Sequence, residues 1–270
     1  MADRVYIHGE SDEESARLIE QAEILAPWVL DDLDLSGVAR LVEIGVGVGA
    51  ETRLYWRRWP EVRVTGVDLS WHQLERARVV LREEMAAGAV SLTRASAAQL
   101  PFADGTFDAA LSIWVLEHVP DPPAVMRECA RCLVPGGRFL AQEVYNTSFY
   151  LEPRRPIIGR YFQALSELQR EGGGHPDIAA RLPSWAERAG LRVDRFQWKG
   201  VHVDARDRAE CVRLIRYFEG ICRSAEPQIR AAGAFPVGEI ESVWAAFDEV
   251  VADPDALLSY VSGKLVARKP

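Results

Sequence analysis

Residues 42–52 read VEIGVGVGAET, an apolar stretch that runs into Gly45, Gly47 and Gly49. Glycines in such a place let the backbone turn tightly and let a ligand approach main-chain atoms. Asp68 closes the next apolar run, EVRVTGVD (61–68), at the distance where a carboxylate meets the hydroxyls of a ribose. Together they describe a site for a nucleoside-bearing cofactor. The spacing Gly45-x-Gly47-x-x-Ala50 also satisfies the looser dinucleotide fingerprint, so a nicotinamide cofactor stays open on these residues alone. Glu43, two residues before the first glycine, argues against it. A carboxylate reaching over the loop suits a bound cation and repels a pyrophosphate.

Candidates for proton transfer are fewer. His118 lies in LEHVPD, His175 in the loop GGGHPD and His202 in WKGVHVD. Each histidine could act as a base or be a loop residue in water. Glu143, Tyr145 and Asn146 follow the fifth apolar run, where ligands gather beside an open sheet. The candidate catalytic set is therefore His118, Tyr145 and His175. Tyr6 and His8 could fold over a cofactor, or fray with the terminus. Cys129 and Cys132 form a C-x-x-C, but MRECARCLV reads as a helix with both thiols on its apolar side. Without a second pair or a nearby histidine, buried thiols are the expectation and no metal is assigned.

These residues need a frame. Residues 11–35 read as a helix. Short apolar runs at 40–46, 61–68, 89–95, 107–114 and 137–145 read as strands, with helices at 70–88, capped by Ser70, and 121–137. Such alternation predicts an open, mostly parallel sheet covered on both faces. After Tyr145 the rhythm breaks. Helices are expected at 161–170, 177–189, 207–224 and 237–251, and strands at 191–203 and 259–269. The chain divides into a cofactor-binding part, 1–145, and a part, 146–270, that completes the sheet. Within the second part, 146–189 and 204–258 form a helical cap over an acceptor pocket.

Composition narrows the partners. Among 270 residues, 40 acidic groups outnumber 32 basic ones, for a formal charge of -8. That balance repels phosphate backbones and argues against nucleic acid. No apolar run reaches membrane-spanning length, and the first ten residues lack a secretory pattern, so a cytoplasmic protein is expected.

In order and spacing, VEIGVGVGAET, Asp68, QLPFADGTFDAALSIWVLEHVPD (99–121) and LVPGG (133–137) resemble the class I S-adenosylmethionine-dependent methyltransferases. The resemblance covers roughly residues 38–145 and is nearest to the small-molecule branch that includes the quinone-biosynthesis enzymes. It implies a Rossmann-like, seven-stranded, mostly parallel sheet with the last strand antiparallel. The cofactor it implies is S-adenosyl-L-methionine, with Glu43, Gly45, Gly47 and Gly49 at the methionine portion. Asp68 would hold the ribose, Leu69 and Ala97 would flank the adenine, and Trp114 would meet the amino-acid end. Ser96 stands where many relatives carry an acidic residue for the adenine amino group. The implied function is methylation of a small, partly apolar metabolite at oxygen, nitrogen or carbon in specialised biosynthesis. Its rivals are an S-adenosylmethionine binder with other chemistry and a nicotinamide-dependent oxidoreductase.

Overall fold

A computed structural model describes residues 12–270. Tyr6 and His8 lie outside them. The elements, in chain order, are α1 (Asp12–Val29), β1 (Arg40–Ile44), α2 (Ala50–Trp56), β2 (Arg63–Asp68), α3 (Trp71–Val80), α4 (Arg82–Ala86), β3 (Val90–Arg94) and β4 (Phe107–Ile113). Then come α5 (Pro122–Cys132), β5 (Leu133–Val144), β6 (Tyr150–Glu152), α6 (Pro156–Glu171), α7 (Leu182–Arg188), β7 (Arg192–Asp204), α8 (Arg208–Ser224), α9 (Glu226–Ala232), α10 (Ile240–Ala252) and β8 (Leu257–Arg268).

Across the sheet the order is β3-β2-β1-β4-β5-β8-β7, with the short β6 pairing the start of β8. β1 to β5 are parallel neighbours, and β8 alone runs against the rest. The buried β1 and β4 read as continuous apolar runs because helices cover both faces of a parallel sheet. The expected mostly parallel sheet with an antiparallel last strand is therefore present.

Local chemistry explains most boundaries. Ser70 caps α3, its Oγ accepting from Gln73 N at 3.2 Å. Asp121 caps α5 in the same way, accepting from Ala124 N at 2.9 Å ahead of two prolines. The helix expected over 70–88 is interrupted at Leu81, which turns inward and is fully buried. β5 begins at Leu133, earlier than the LVPGG turn suggested, with a register shift between Phe107 and Ala109 of β4 absorbing the extra residues. All four cysteines are buried; Cys129 and Cys132 sit on the inner side of α5, as free thiols. Among the described residues no helix is long and apolar enough to cross a membrane.

Candidate active site

The carboxyl ends of β1, β2 and β4 open onto one cavity of about 1920 Å³. The cavity continues under α1, α6, α8 and α9, so its two ends have different walls. At the first end the chain after β1 turns through Gly45 and Gly47, both at positive φ, while Gly45 N and Val46 N donate to Val67 O at 2.7 and 3.0 Å. A Cβ on Gly45 would strike Val115, whereas Gly47 faces open space. Asp68 anchors the crossing: Oδ2 accepts from Gly47 N at 3.0 Å and Oδ1 from Ser70 N at 2.9 Å. The carboxylate is on the cavity wall, where a ligand's hydroxyls can reach it. Leu69 follows on the wall, 66% exposed, an apolar surface open to a flat partner. Ser96 and Ala97 lie across from it; Ser96 Oγ also accepts from Ala98 N at 3.3 Å within its turn.

The loop after β4 carries the next group. Trp114, on the wall, holds φ at +57°, a left-handed conformation that costs a bulky residue free energy. Two grips enforce it. Trp114 N donates to Gln142 O at 2.9 Å. The buried Glu143 carboxylate accepts from Ser112 Oγ, Val115 N and Leu116 N on Oε1 at 3.2, 3.1 and 2.9 Å, and from Glu117 N on Oε2 at 3.3 Å. Burial pushes the Glu143 carboxyl up to about 7 in spite of these donors. Beside it, burial and the Glu143 charge push Glu117 up to about 8. Gln169 of α6 donates to Glu117 Oε2 at 2.8 Å and lies 3.4 Å from His118 Nδ1. His118 Nε2 lies 3.6 Å from Glu117 Oε1, and the imidazole is on the cavity wall.

Five sequence-derived candidates are placed elsewhere. Glu43 does not reach over the loop. Its Oε2 accepts from Thr52 Oγ1 at 2.6 Å and Tyr55 Oη at 2.7 Å, which pins α2 beneath the glycines, and burial raises it to about 7. Besides Asp68, the wall at this end carries Glu51, also raised to about 7 by burial. Gly49 serves packing: a Cβ there would fall 2.5 Å from Leu81 Cδ1. Tyr145 is on the wrong side of its strand. Gln142, Val144 and Asn146 face the cavity, and period-two alternation sends Tyr145 the other way, to a ring contact of 5.0 Å with Trp198. His175 is held by its backbone N, which donates to Glu117 O at 2.7 Å, and its ring meets Trp185 edge-on at 5.4 Å. The imidazole of His202 lies 2.8 Å (Nδ1) from Ser259 Oγ.

The second end is largely apolar. Phe162 and Leu165 of α6, Tyr217, Phe218 and Ile221 of α8, and Tyr260 of β8 face it. Asn146 Oδ1 accepts from Tyr260 Oη at 2.9 Å. Other aromatics of the cover form its core: Tyr161 packs edge-on against Trp244 at 5.3 Å, and Phe149 stacks on Phe162 at 4.3 Å. Sequence reasoning missed Gln142 and Tyr260 because buried strands give no sign of which inner residue borders a cavity.

A glycine turn, a ribose-ready aspartate and a strained loop at the ends of β1, β2 and β4 define a nucleoside-cofactor enzyme of the doubly wound type. A methyltransferase domain family matches residues 42–141. The chain is 31% identical over 223 residues to the 27-O-demethylrifamycin SV methyltransferase of Amycolatopsis mediterranei, covering 73% of this chain and 78% of that one. It belongs to the class I S-adenosylmethionine-dependent methyltransferases. Methyltransferase GfsG of Streptomyces halstedii is 37% identical over 130 residues, 47% of this chain and 45% of the relative, so the match spans under half of that protein. In fold, the [4+2]-cyclase SpnF superimposes with a TM-score of 0.56 at 22% identity, covering 93% of this chain and 81% of that chain.

Proposed function

We propose that this protein methylates a mid-sized, partly apolar small molecule of specialised metabolism, using S-adenosylmethionine as donor. One observation carries the reading: a single cavity joins the Asp68–Gly47 end to an apolar chamber under the helical cover, with the Trp114 loop between them. The residues present fit the donor. Asp68 at the end of β2 faces the ribose hydroxyls, Leu69 and Ala97 flank the adenine, and Ser96 Oγ is at hand for its amino group. Gly45 and Gly47 bring main chain against the methionine portion, and Trp114 meets its amino-acid end. When bound, S-adenosylmethionine supplies a methyl group already activated by its sulfonium.

The chain's own task is then alignment and exclusion of water. The Glu143 grip fixes the Trp114–Glu117 loop, and α6, α8 and α9 close over the acceptor, conditions under which holding reactants in line supplies several kcal/mol. His118 removes the proton when the acceptor is a hydroxyl or carbon acid, oriented by Glu117 and Gln169. A match to only 45% of GfsG does not bear on acceptor identity. A small-molecule acceptor and no nucleic acid fit the acidic chain. Four buried, unpaired thiols fit a reducing, cytoplasmic setting.

Calorimetric titration with S-adenosylmethionine, S-adenosylhomocysteine and NADH, with Asp68→Ala as control, tests the donor. Tight binding of the two sulfur compounds, lost in the variant, is expected; binding of NADH alone would refute the reading. Methyl transfer itself is read by mass spectrometry after incubation with a panel of hydroxylated apolar acceptors, and a protein that binds the donor yet never yields S-adenosylhomocysteine is a binder of another kind.

A further inference from the structure

Among the described residues on the cavity wall, the permanently charged cations are Arg17, Arg94 and Lys199. Arg94 belongs to the Asp68 end, where its Nε donates to Leu69 O at 3.0 Å. Arg17 is already committed: Nε and Nη2 donate to Glu14 at 2.7 and 2.6 Å, and Nη1 donates to Gln21 Oε1 at 2.7 Å. Lys199 remains, close to the Tyr260 and Ser262 part of the chamber. It is committed as well. Its Nζ lies 3.0 Å from Asp31 Oδ2 and 3.3 Å from Asp32 Oδ2.

The arrangement is built by the sheet. The β7–β8 register sets Lys199 opposite Ser262 and Lys264 opposite Gln197, which makes the two lysines diagonal neighbours on one face. Asp31 and Asp32, in the segment leaving α1, insert between them. Lys264 Nζ lies 3.1 Å from Asp31 Oδ1, also pairs with Asp32, and donates to Val29 O at 2.9 Å. Arg195 adds a contact to Asp32 at 3.9 Å. The bond to Asp31 raises the Lys199 ammonium above its usual range, so it stays charged and does not serve as a base.

We propose that Asp31 and Asp32 hold the Lys199 ammonium in ion pairs, so that the acceptor chamber selects uncharged, largely apolar molecules and rejects phosphorylated or carboxylated ones. The inference rests on the methyl-transfer reading for which end of the cavity receives the acceptor. A carboxylate or phosphate entering this chamber sheds its water, and the cation it would need is already bridged to two aspartates. Apart from His118, a neutral acceptor meets mostly rings, aliphatic side chains and a few hydroxyl and amide groups.

The test uses two probes of one shape, 2-naphthol and 2-naphthoate, bound to the full chain at pH 7 in saturating S-adenosylhomocysteine and followed by tryptophan fluorescence. The wild type is expected to prefer the naphthol at least about tenfold. Asp31→Asn/Asp32→Asn frees Lys199 and is expected to shift the ratio about tenfold toward the naphthoate. Lys199→Gln is expected to leave the wild-type ratio within about twofold, because a lysine held in ion pairs contributes no anion affinity. Equal binding of the two probes by the wild type, an unshifted ratio in the aspartate variant, or loss of naphthoate affinity in Lys199→Gln each overturns the proposal. Should the aspartate variant fail to fold, the wild type and Lys199→Gln still decide. Calorimetry of S-adenosylhomocysteine on the same proteins separates the two readings: a wild type that does not bind it refutes methyl transfer, while the probe ratio, measured a second time without it, judges the selectivity.

Discussion

Replacing Glu143 with alanine removes the acceptor for three backbone N–H groups and one hydroxyl in a buried loop. A stranded buried donor costs about 1–3 kcal/mol. Ser112 can rotate its hydroxyl, and water from the adjoining cavity can reach part of the loop, so the full sum does not apply. Losing a carboxylate that burial already penalises offsets some of the remainder. A net loss of about 4 kcal/mol follows from the Val115 and Leu116 bonds, with a smaller part from the 3.3 Å Glu117 bond. At about 2–4 °C per kcal/mol for a domain of this size, Tm falls by about 8–16 °C. Glu143→Gln keeps one oxygen for the three Oε1 donors and turns an amide group toward Glu117 N, at a cost of about 1 kcal/mol. Thermal melts of the ligand-free proteins at pH 7 read both numbers. If the alanine variant melts within about 2 °C of the wild type, or together with the glutamine variant, the Glu143 grip does not hold the loop.

Two further substitutions separate packing from binding in the glycine turn. Gly49→Ala combines a positive φ with a Cβ 2.5 Å from Leu81 Cδ1 and is expected to lower stability by about 1–3 kcal/mol in urea titration. In a Leu81→Ala background, measured against Leu81→Ala alone, Gly49→Ala costs only the backbone part, and no cost there would show that the backbone carries no strain. Gly47→Ala carries the positive-φ strain without a clash, so it is expected to cost less stability than Gly49→Ala and to weaken S-adenosylhomocysteine binding more. A pH series tests Glu117. Its folded pKa of about 8 stands above the ordinary 4.5, so between those values the folded state keeps a proton that the unfolded state has lost. Stability therefore falls as pH rises through that window. Glu117→Gln removes its share of this slope and leaves that of the raised Glu43, Glu51 and Glu143, so parallel Tm profiles for wild type and variant from about pH 5 to 8 would contradict the assignment.

Much of the cofactor end was legible because its requirements are local. The turn after β1 needs glycines at fixed offsets, and Asp68 must end β2, so their types and spacing survive in the sequence. The failures share one cause: sequence spacing does not say which way a side chain points. Glu43 lies near enough to serve a ligand, but Thr52 and Tyr55, nine and twelve residues on, claim its carboxylate. Tyr145 and Asn146 are adjacent in sequence, and only the face that β5 turns to the cavity tells them apart. The third glycine of the motif looked like its companions; its neighbour Leu81 is known only once α3 and α4 are packed. β6 and α9 are too short to give a periodic signal. The Lys199–Lys264–Asp31–Asp32 cluster joins residues more than 160 positions apart, and no pattern in the chain announces it.

β8 is the last strand to be made, yet it lies inside the sheet, between β5 and β7. Until Leu257–Arg268 emerges from the ribosome, the nascent chain holds an open edge on β5, and a completed β7 has nothing to pair with. Trp198 and Phe196 on that waiting strand are then exposed together. Such closure joins segments more than a hundred residues apart, the kind of step that is slow and prone to wrong pairing. The cofactor end can fold while the chain is still being synthesised. The acceptor end waits for β8, so a chain stopped before Leu257 leaves the β5 edge open to other chains.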